Sequence, residues 1–409
     1  MKIWVKFLIG SILGIICALV IPGDTMFIQK ILPFATEFSI RFGRYMLLPV
    51  LFFSMTISVC RLHESNLLFK TFLKTTLVII SSTLILTALG LVTGLIVHLP
   101  RIPIPVEKIS QTPGLNIAEN FLKLFPKSVF DCFIDGAYLL PLYIFAGFAG
   151  AGCSTDKNIA KPVLNLFDSL SRVSYTIMCF FTDMLSLGMI PIAATWTCQF
   201  IQTIKAGTFT NLILLLSIDF IFIIFVMYPL ILRFGFKELH PYRILYASIT
   251  SIVTAFFSGD TNLVLSLNLR HAKESLGVHR RLNSVTLPVF STFSRGGSAM
   301  VTAICFIIIL RSYSSLGIKL FDVIWIFAFA SLCSFFLGAL PMGGTFTALT
   351  VMCSLYGRGY AAGYLLLKPA APIICCFACA IDAATAMFGS YLIASKSHLA
   401  EHKETRYFI

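Results

Sequence analysis

The sequence predicts an all-α polytopic membrane protein, and three observations carry that expectation. Of its 409 residues, 57% are hydrophobic and only 12% charged, with a mean hydropathy of +0.90. That leaves too little polar side chain to clothe a soluble globule of this length. Apolar stretches near the ~20 residues needed to cross a bilayer recur along the chain. Lysine and arginine gather in clusters between alternate stretches instead of being spread evenly.

The elements follow in order. Val5 to Ile21 forms the first span; its basic start resembles a signal peptide, but no small-x-small cleavage site follows. Further spans are expected at Ile31 to Val59, Phe72 to His98, Leu140 to Cys153, Leu164 to Cys198 and Leu212 to Phe234, some long enough to tilt or break. Between the third and fourth, Leu99 to Gly114 is rich in proline and reads as an extended extracellular loop. From about Tyr242 the pattern changes. Apolar runs come in pairs of about a dozen residues, each too short to cross alone. The pairs are split by Ser258-Gly259-Asp260-Thr261-Asn262, by Ser294-Arg295-Gly296-Gly297-Ser298 and by Pro341-Met342-Gly343-Gly344-Thr345. Lys396 to Ile409 is a charged tail, expected to be cytoplasmic and frayed.

Lys2 and Lys6, then Arg61, Lys70 and Lys74, Lys157 and Lys161, and later Arg233, Lys237, Arg270, Lys273, Arg280 and Arg281 fall on one side of an even-span path. Excess Lys and Arg marks the cytoplasmic face, so both termini are expected inside, at the cytoplasmic (inner) membrane. The formal charge of +13 is thus topological, and without a basic patch interleaved with stacking aromatics it excludes nucleic acid as a partner. The 12 cysteines sit mostly inside apolar runs with no metal-like spacing, as buried thiols.

Unwound backbone at membrane depth leaves amides and carbonyls that are tolerated only inside protein or along a cavity, so three breaks imply one shared polar cavity. Half-helix ends in such a cavity can meet anions and cations. Arg295 within a break needs partners, and Asp260 and Asp382 are the candidates. Asp382 belongs to a stripe of Cys375, Cys379, Asp382, Ala386 and Gly389 at helical spacing, suited to close packing against the cavity. Asp183 and Asp219 read as hydrogen-bonding or interfacial residues, and His98 and His271 as interfacial or loop residues.

The run Thr286-Leu-Pro-Val-Phe-Ser-Thr-Phe-Ser-Arg-Gly-Gly-Ser-Ala-Met300 resembles the seventh span of the dicarboxylate/amino acid:cation symporters, the glutamate transporter homologues, in which Thr-Leu-Pro precedes an unwound Asn-Met-Asp-Gly-Thr. Ala255 to Asn262 with Arg270 to Glu274 is similar to that family's first re-entrant hairpin, Leu337 to Gly344 to its second hairpin tip, Thr385 to Lys396 to the end of its eighth span, and Arg44 to Phe52 to its second span. The resemblance implies eight transmembrane helices plus two re-entrant helical hairpins, a homotrimer and an elevator mechanism. Residues 1–240 would hold six spans, mostly trimerisation scaffold, with spans three and six joining the transport domain. Residues 241–396 would form the transport core, and 397–409 the cytoplasmic tail.

The departures from the family pattern bear on function. The motif's asparagine and aspartate, which help hold sodium, are Ser294 and Gly296 here, and a register anchored on Gly389 puts Asp382 and Ala386 at the corresponding pair in the eighth span. Sodium near Ser294, Gly296, Asp382 and Ala386 would therefore have a depleted ligand set. Ala378 falls at the family's substrate-reading arginine and Cys375 at its amino-group aspartate; a shift of one residue puts Cys379 at the arginine instead, as in the neutral-amino-acid branch. Arg295 replaces the motif's methionine, either as an internal cation in place of a coupling ion or as a clamp for a substrate carboxylate.

The expected function is secondary active transport of a small carboxylate-bearing solute, an amino acid or dicarboxylate, coupled to sodium or protons and without a cofactor. Asp260, Thr261 and Asn262 with Met342, Gly343, Gly344 and Thr345 would cradle the solute, and Arg295 would meet its negative charge. Asp382 would meet an amino group or a coupling proton, with Ser294, Ser298, Cys375 and Cys379 shaping the cavity. The alternatives are a carrier-derived sensor and an uncoupled channel or exchanger. No Gly-x-Ser-x-Gly or His-Glu-x-x-His motif supports an enzyme.

Overall fold

The structure is a computed structural model that describes residues 2–21, 30–97, 99–103, 122–134, 136–205, 207–236, 238, 240–313, 317–357 and 359–409. His98 and most of the proline-rich loop, residues 104–114, lie outside the described residues. Among the described residues the structure is predominantly helical. The N-terminal half contains α1 (Ile3–Val20), α2 (Leu32–Arg44), α3 (Leu47–Glu64), α4 (Leu68–Ile96), α5 (Leu140–Thr155), α6 (Lys157–Lys205) and α7 (Thr210–Phe222), the last running on through two π-helical turns to Gly235. Those turns flank Pro229, which has no N–H to give to the helical ladder.

The C-terminal half contains a hairpin of α8 (Tyr242–Ser258) and α9 (Thr261–Glu274), a broken span of α10 (Arg280–Phe293) and α11 (Gly296–Tyr313), a second hairpin of α12 (Leu320–Phe335) and α13 (Gly344–Tyr356), and α14 (Ala371–Lys396). None of the four hairpin helices exceeds 17 residues, short of what a single crossing needs.

Among the described residues seven helices are long and apolar enough to cross a membrane. The fourth predicted span is the shorter α5, whose 16 residues reach about 24 Å against a hydrocarbon core of ~30 Å. Burial separates the two halves. The most apolar window of α1 is 33% buried, whereas that of the α10–α11 span is 94% buried. Ile12, Ile16 and Leu19 of α1 and Phe180 and Leu187 of α6 point outward, as side chains facing an apolar solvent do. The core forms where α11 packs between α4 and α14, with the first hairpin laid against α14. Glycine makes that approach close: a Cβ on Gly296 would stand 2.8 Å from Leu86 Cδ1 of α4, and one on Gly297 would stand 2.6 Å from Ile381 Cβ of α14.

The tail departs from expectation, being packed rather than frayed. Ala400 forms a β-bridge with Val278, the Glu401 amide donates to the Gly277 carbonyl (2.9 Å), and the Lys403 ammonium donates to the carbonyls of Lys273 (3.2 Å) and Glu274 (3.1 Å). Phe408 is buried and stacks on Tyr246 at 5.9 Å, with the Arg243 guanidinium over its ring. The charge of the segment hides this apolar anchor at its end.

Two single-residue expectations also meet the structure. His271 is not in a loop: it lies in the last turn of α9, 1% exposed. Asp219 accepts a hydrogen bond from Thr93 at 3.0 Å, joining the sixth span to the third, and Asp183 pairs with Arg270 at 3.1 Å. All 12 cysteines remain thiols.

Candidate functional site

Each break has a local cause. Gly259 (φ +62°) and Gly343 (φ +71°) adopt left-handed conformations at the two hairpin tips, which other residues reach only with strain. Asp260 then starts α9: its Oδ1 accepts from the amides of Asn262 (2.9 Å) and Leu263 (3.2 Å), an N-cap that satisfies two of the helix's orphan donors. Between α10 and α11 the helix is lost over Ser294 and Arg295 alone.

The three breaks meet. Thr261 of the first hairpin donates its amide (3.2 Å) and its hydroxyl (3.3 Å) to the Pro341 carbonyl of the second. Arg295 Nη2 donates to Thr261 Oγ1 at 2.8 Å and to the Leu340 carbonyl at 3.4 Å. One guanidinium therefore ties both hairpin tips to the broken span, while its buried Nε has no partner among the described residues.

The expected partners of Arg295 are engaged elsewhere. Asp260 forms an ion pair with Arg44 of α2. Asp382 accepts from Gly297 N (2.7 Å), Ser298 N (3.3 Å) and Ser298 Oγ (2.6 Å), so its carboxylate anchors the start of α11 while keeping acceptor capacity. Arg295 thus makes hydrogen bonds to neutral oxygens rather than an ion pair with either aspartate. Cys379, buried in α14, lies within electrostatic range of Arg295, Asp382 and Asp260. The neighbouring Ala378 turns to α11 instead, its carbonyl packed under Gly297.

Two cavities border this junction. The larger, of about 480 Å³, opens between the N-terminal half (Thr36, Ile40, Thr195, Trp196) and the hairpin tips (Gly259, Met342), with Cys375 in its wall. That is a volume suited to a small solute. Asn262 is directed away from it, donating to the carbonyls of Gly136 (3.2 Å) and Ala137 (2.9 Å). Of the second tip, Met342 and Gly343 are exposed, and Gly344 and Thr345 buried.

The smaller cavity, of about 10 Å³, is lined by Thr261, Asn268, Ser291, Ser294, Asp382 and Ala386. Ser294 Oγ and Asn268 Oδ1 are buried there without hydrogen-bond partners among the described residues. The space approximates one water-sized sphere. Its donors are oxygens only, a set that fits one small hard cation. Gly296 does not reach this cavity, being packed against α4.

The sequence reading missed Asn268, Ser291 and Arg44. Asn268 had a signal: Thr261, Val264 and Asn268 follow one another at i, i+3 and i+7, on one face of α9.

Comparison with known proteins agrees with this architecture. The sodium:dicarboxylate symporter family matches residues 3–396. The proton/sodium-glutamate symport protein of Geobacillus stearothermophilus is 21% identical over 325 residues, covering 75% of this chain and 74% of its own length. The serine/threonine transporter SstT of Bifidobacterium adolescentis is 24% identical over 381 residues, covering 90% and 78%. The neutral amino acid transporter B(0) of Homo sapiens is 27% identical over a shorter stretch of 124 residues, covering 30% and 23%. A match over nearly the whole length, joined to paired hairpins that converge on a broken span, makes this chain a member of the sodium:dicarboxylate symporter family.

Proposed function

We propose that the chain is a secondary active transporter for a small carboxylate-bearing solute, an amino acid or dicarboxylate, in the cytoplasmic membrane with both termini inside. Membership of a symporter family makes it a transporter rather than an enzyme. The observation that carries the substrate reading is the convergence of three unwound segments on Arg295, while both hairpin tips (Gly259, Met342, Gly343) and Lys368 line a cavity of about 480 Å³. Backbone dipoles freed at the hairpin tips, together with one fixed positive charge, suit a solute with a carboxylate.

In this reading residues 1–240 form mostly a scaffold, with spans three and six joining residues 241–396 in the moving core, and three copies assemble about the scaffold. The core travels as a body, since its spans are buried in one another while α1 and α6 present apolar faces outward. Thr261, Met342, Gly343 and Cys375 border the solute. Gly344, Thr345 and Asn262 hold the tips from behind, and Ser298 and Ala378 seat α11 on α14.

Coupling divides between a fixed and an exchangeable charge. Arg295 is the internal cation where relatives carry methionine. One sodium ion would be held by Asp382, Ser294, Asn268, Ser291 and Thr261, and would supply charge neutralisation for the solute; Ala386 contributes no oxygen. The chain's own part is to hold these oxygens around a space too small for a second ion, next to a guanidinium that repels one. Two like charges ~4 Å apart oppose each other by about 4 kcal/mol at an effective dielectric of 20.

The test is uptake of L-glutamate, L-serine and succinate into proteoliposomes, with sodium and proton gradients imposed separately. Saturable uptake that is first order in sodium, with trans-stimulation, is expected. Flux that never saturates, or solute that fails to exchange, would replace the carrier with a channel. Arg295→Met should add sodium dependence if the arginine is an internal cation, whereas a clamp would show only a raised KM.

A further inference from the structure

The second span brings a charge to the edge of this cavity. Thr36, Ile40 and Arg44 lie four residues apart on α2, along one helical face. Thr36 and Ile40 line the larger cavity together with Ser258 and Gly259 of the first hairpin tip. One turn beyond them Arg44 pairs with Asp260. The carboxylate is wholly buried, whereas the Arg44 side chain keeps 21% exposure. Asp260 caps α9, and the next residue carries the hydroxyl that Arg295 holds.

Buried directly behind the Gly259 wall of that cavity, the Asp260 carboxylate opposes an anionic solute there through space, and Arg44 cancels it. The two partners belong to different halves of the chain. Arg44 stands in the N-terminal half, packed by α2 onto α6, and Asp260 at the tip of a hairpin packed onto α14.

We propose that Arg44 is a positioning and specificity-determining residue that neutralises Asp260 only while the two halves stand as they do here. The hairpin tip then accepts an anionic solute in this arrangement and presents a bare carboxylate once the core has moved. The inference rests on the carrier reading and adds a direction to it: the chain's own charges favour loading in one arrangement and release in the other.

The test uses the full-length protein in nanodiscs, with spin labels introduced through unnatural amino acids at Leu187 and Leu320, which are 66% and 75% exposed. Pulsed distance measurements should show that Arg44→Gln and Asp260→Asn each shift the ratio of this arrangement to the displaced one at least tenfold. The double variant should shift it no further than the larger single change, and Arg44→Lys should stay near wild type. Unchanged distributions in both single variants would overturn the proposal.

A second arm reads affinity by thermal shift with L-glutamate, L-serine and succinate. Arg44→Gln should weaken binding at least tenfold, and adding Asp260→Asn should bring it back to within about threefold. A double variant as weak as Arg44→Gln would mean that the pair is merely structural. Should wild type bind none of the three probes, the carrier reading of the cavity fails, and the distance arm still decides whether the pair holds the halves together.

Discussion

Gly297→Ala is the sharpest probe of the core, because one methyl group meets two rigid obstacles. Its Cβ would stand 2.6 Å from Ile381 Cβ and 2.8 Å from the Ala378 carbonyl oxygen. Both belong to the body of α14, so neither can rotate away. Overpacking of this kind costs about 1–3 kcal/mol. Separating α11 from α14 also lengthens the bonds that Asp382 accepts from Gly297 N at 2.7 Å and Ser298 N at 3.3 Å. Hydrogen bonds to a charged group contribute roughly 1.5–3 kcal/mol each. Losing the shorter one in addition to the clash gives a total of about 3–5 kcal/mol. With an unfolding entropy of about 2.1 cal/mol/K per residue, a chain of this size loses ~1 °C per kcal/mol, so the melting temperature should fall by about 3–6 °C. Thermal unfolding in detergent, followed by tryptophan fluorescence, measures it. Gly147→Ala is the control: nothing lies within 4 Å of its added Cβ, and alanine in a helix interior is favoured over glycine by roughly 0.5–1 kcal/mol. If Gly297→Ala melts with wild type, the α11–α14 contact is not the tight seam inferred here, and Asp382 is not held by the start of α11.

Three further predictions follow from the same contacts. Phe408→Ala should destabilise the protein by about 3–5 kcal/mol, the cost of emptying a buried aromatic site, and should expose residues 397–409 to limited proteolysis; a tail equally protected in the variant would contradict the packing on Tyr246. Asn268→Ala removes an oxygen from the small cavity, and its apparent affinity for sodium should fall at least tenfold, or ~1.4 kcal/mol, as read from the sodium dependence of uptake. Asp219→Asn keeps a partner for Thr93 and should cost only about 1 kcal/mol with uptake preserved; loss of transport with normal stability would move Asp219 into the transport machinery.

The outline of the fold was legible because its signals are local. Glycine, proline and short polar runs mark each break, and a run of a dozen apolar residues announces its own shortness. The convergence of the breaks followed from a general constraint, since unwound backbone at membrane depth must be housed together. Partner choice was not legible. Asp260 and Asp382 were the candidates for Arg295 within the C-terminal half, and sequence reasoning gave it one of them. The structure gives Asp260 to Arg44, more than 200 residues earlier, and Asp382 to the amides at the start of α11. Only tertiary packing decides such contests, because every arrangement satisfies the same charge count. The tail shows the converse error: its lysines and glutamates suggested solvent, yet the buried Phe408 fixes its place.

The distribution of charge in the core leads to a firmer statement than any single pairing. Asp260, Asp382 and Arg295 are all at most 4% exposed, and a buried charge without compensation is costly enough to unfold a domain. Their compensation overlaps: Asp260 has a cation from the other half of the chain and two amides of its own helix, Asp382 has amides and a hydroxyl of the adjoining helix together with the Arg295 charge, and Arg295 has in addition neutral oxygens of the two hairpin tips. The compensation of Asp382 is internal to the core and survives any rigid movement of it. The hydrogen bonds of Arg295 need both tips together, and in the proposed elevator movement the pairing of Asp260 with Arg44 would depend on the position of the core. In the proposed cycle one site would therefore combine contacts internal to the core, contacts sensitive to tip closure and a pair sensitive to domain position.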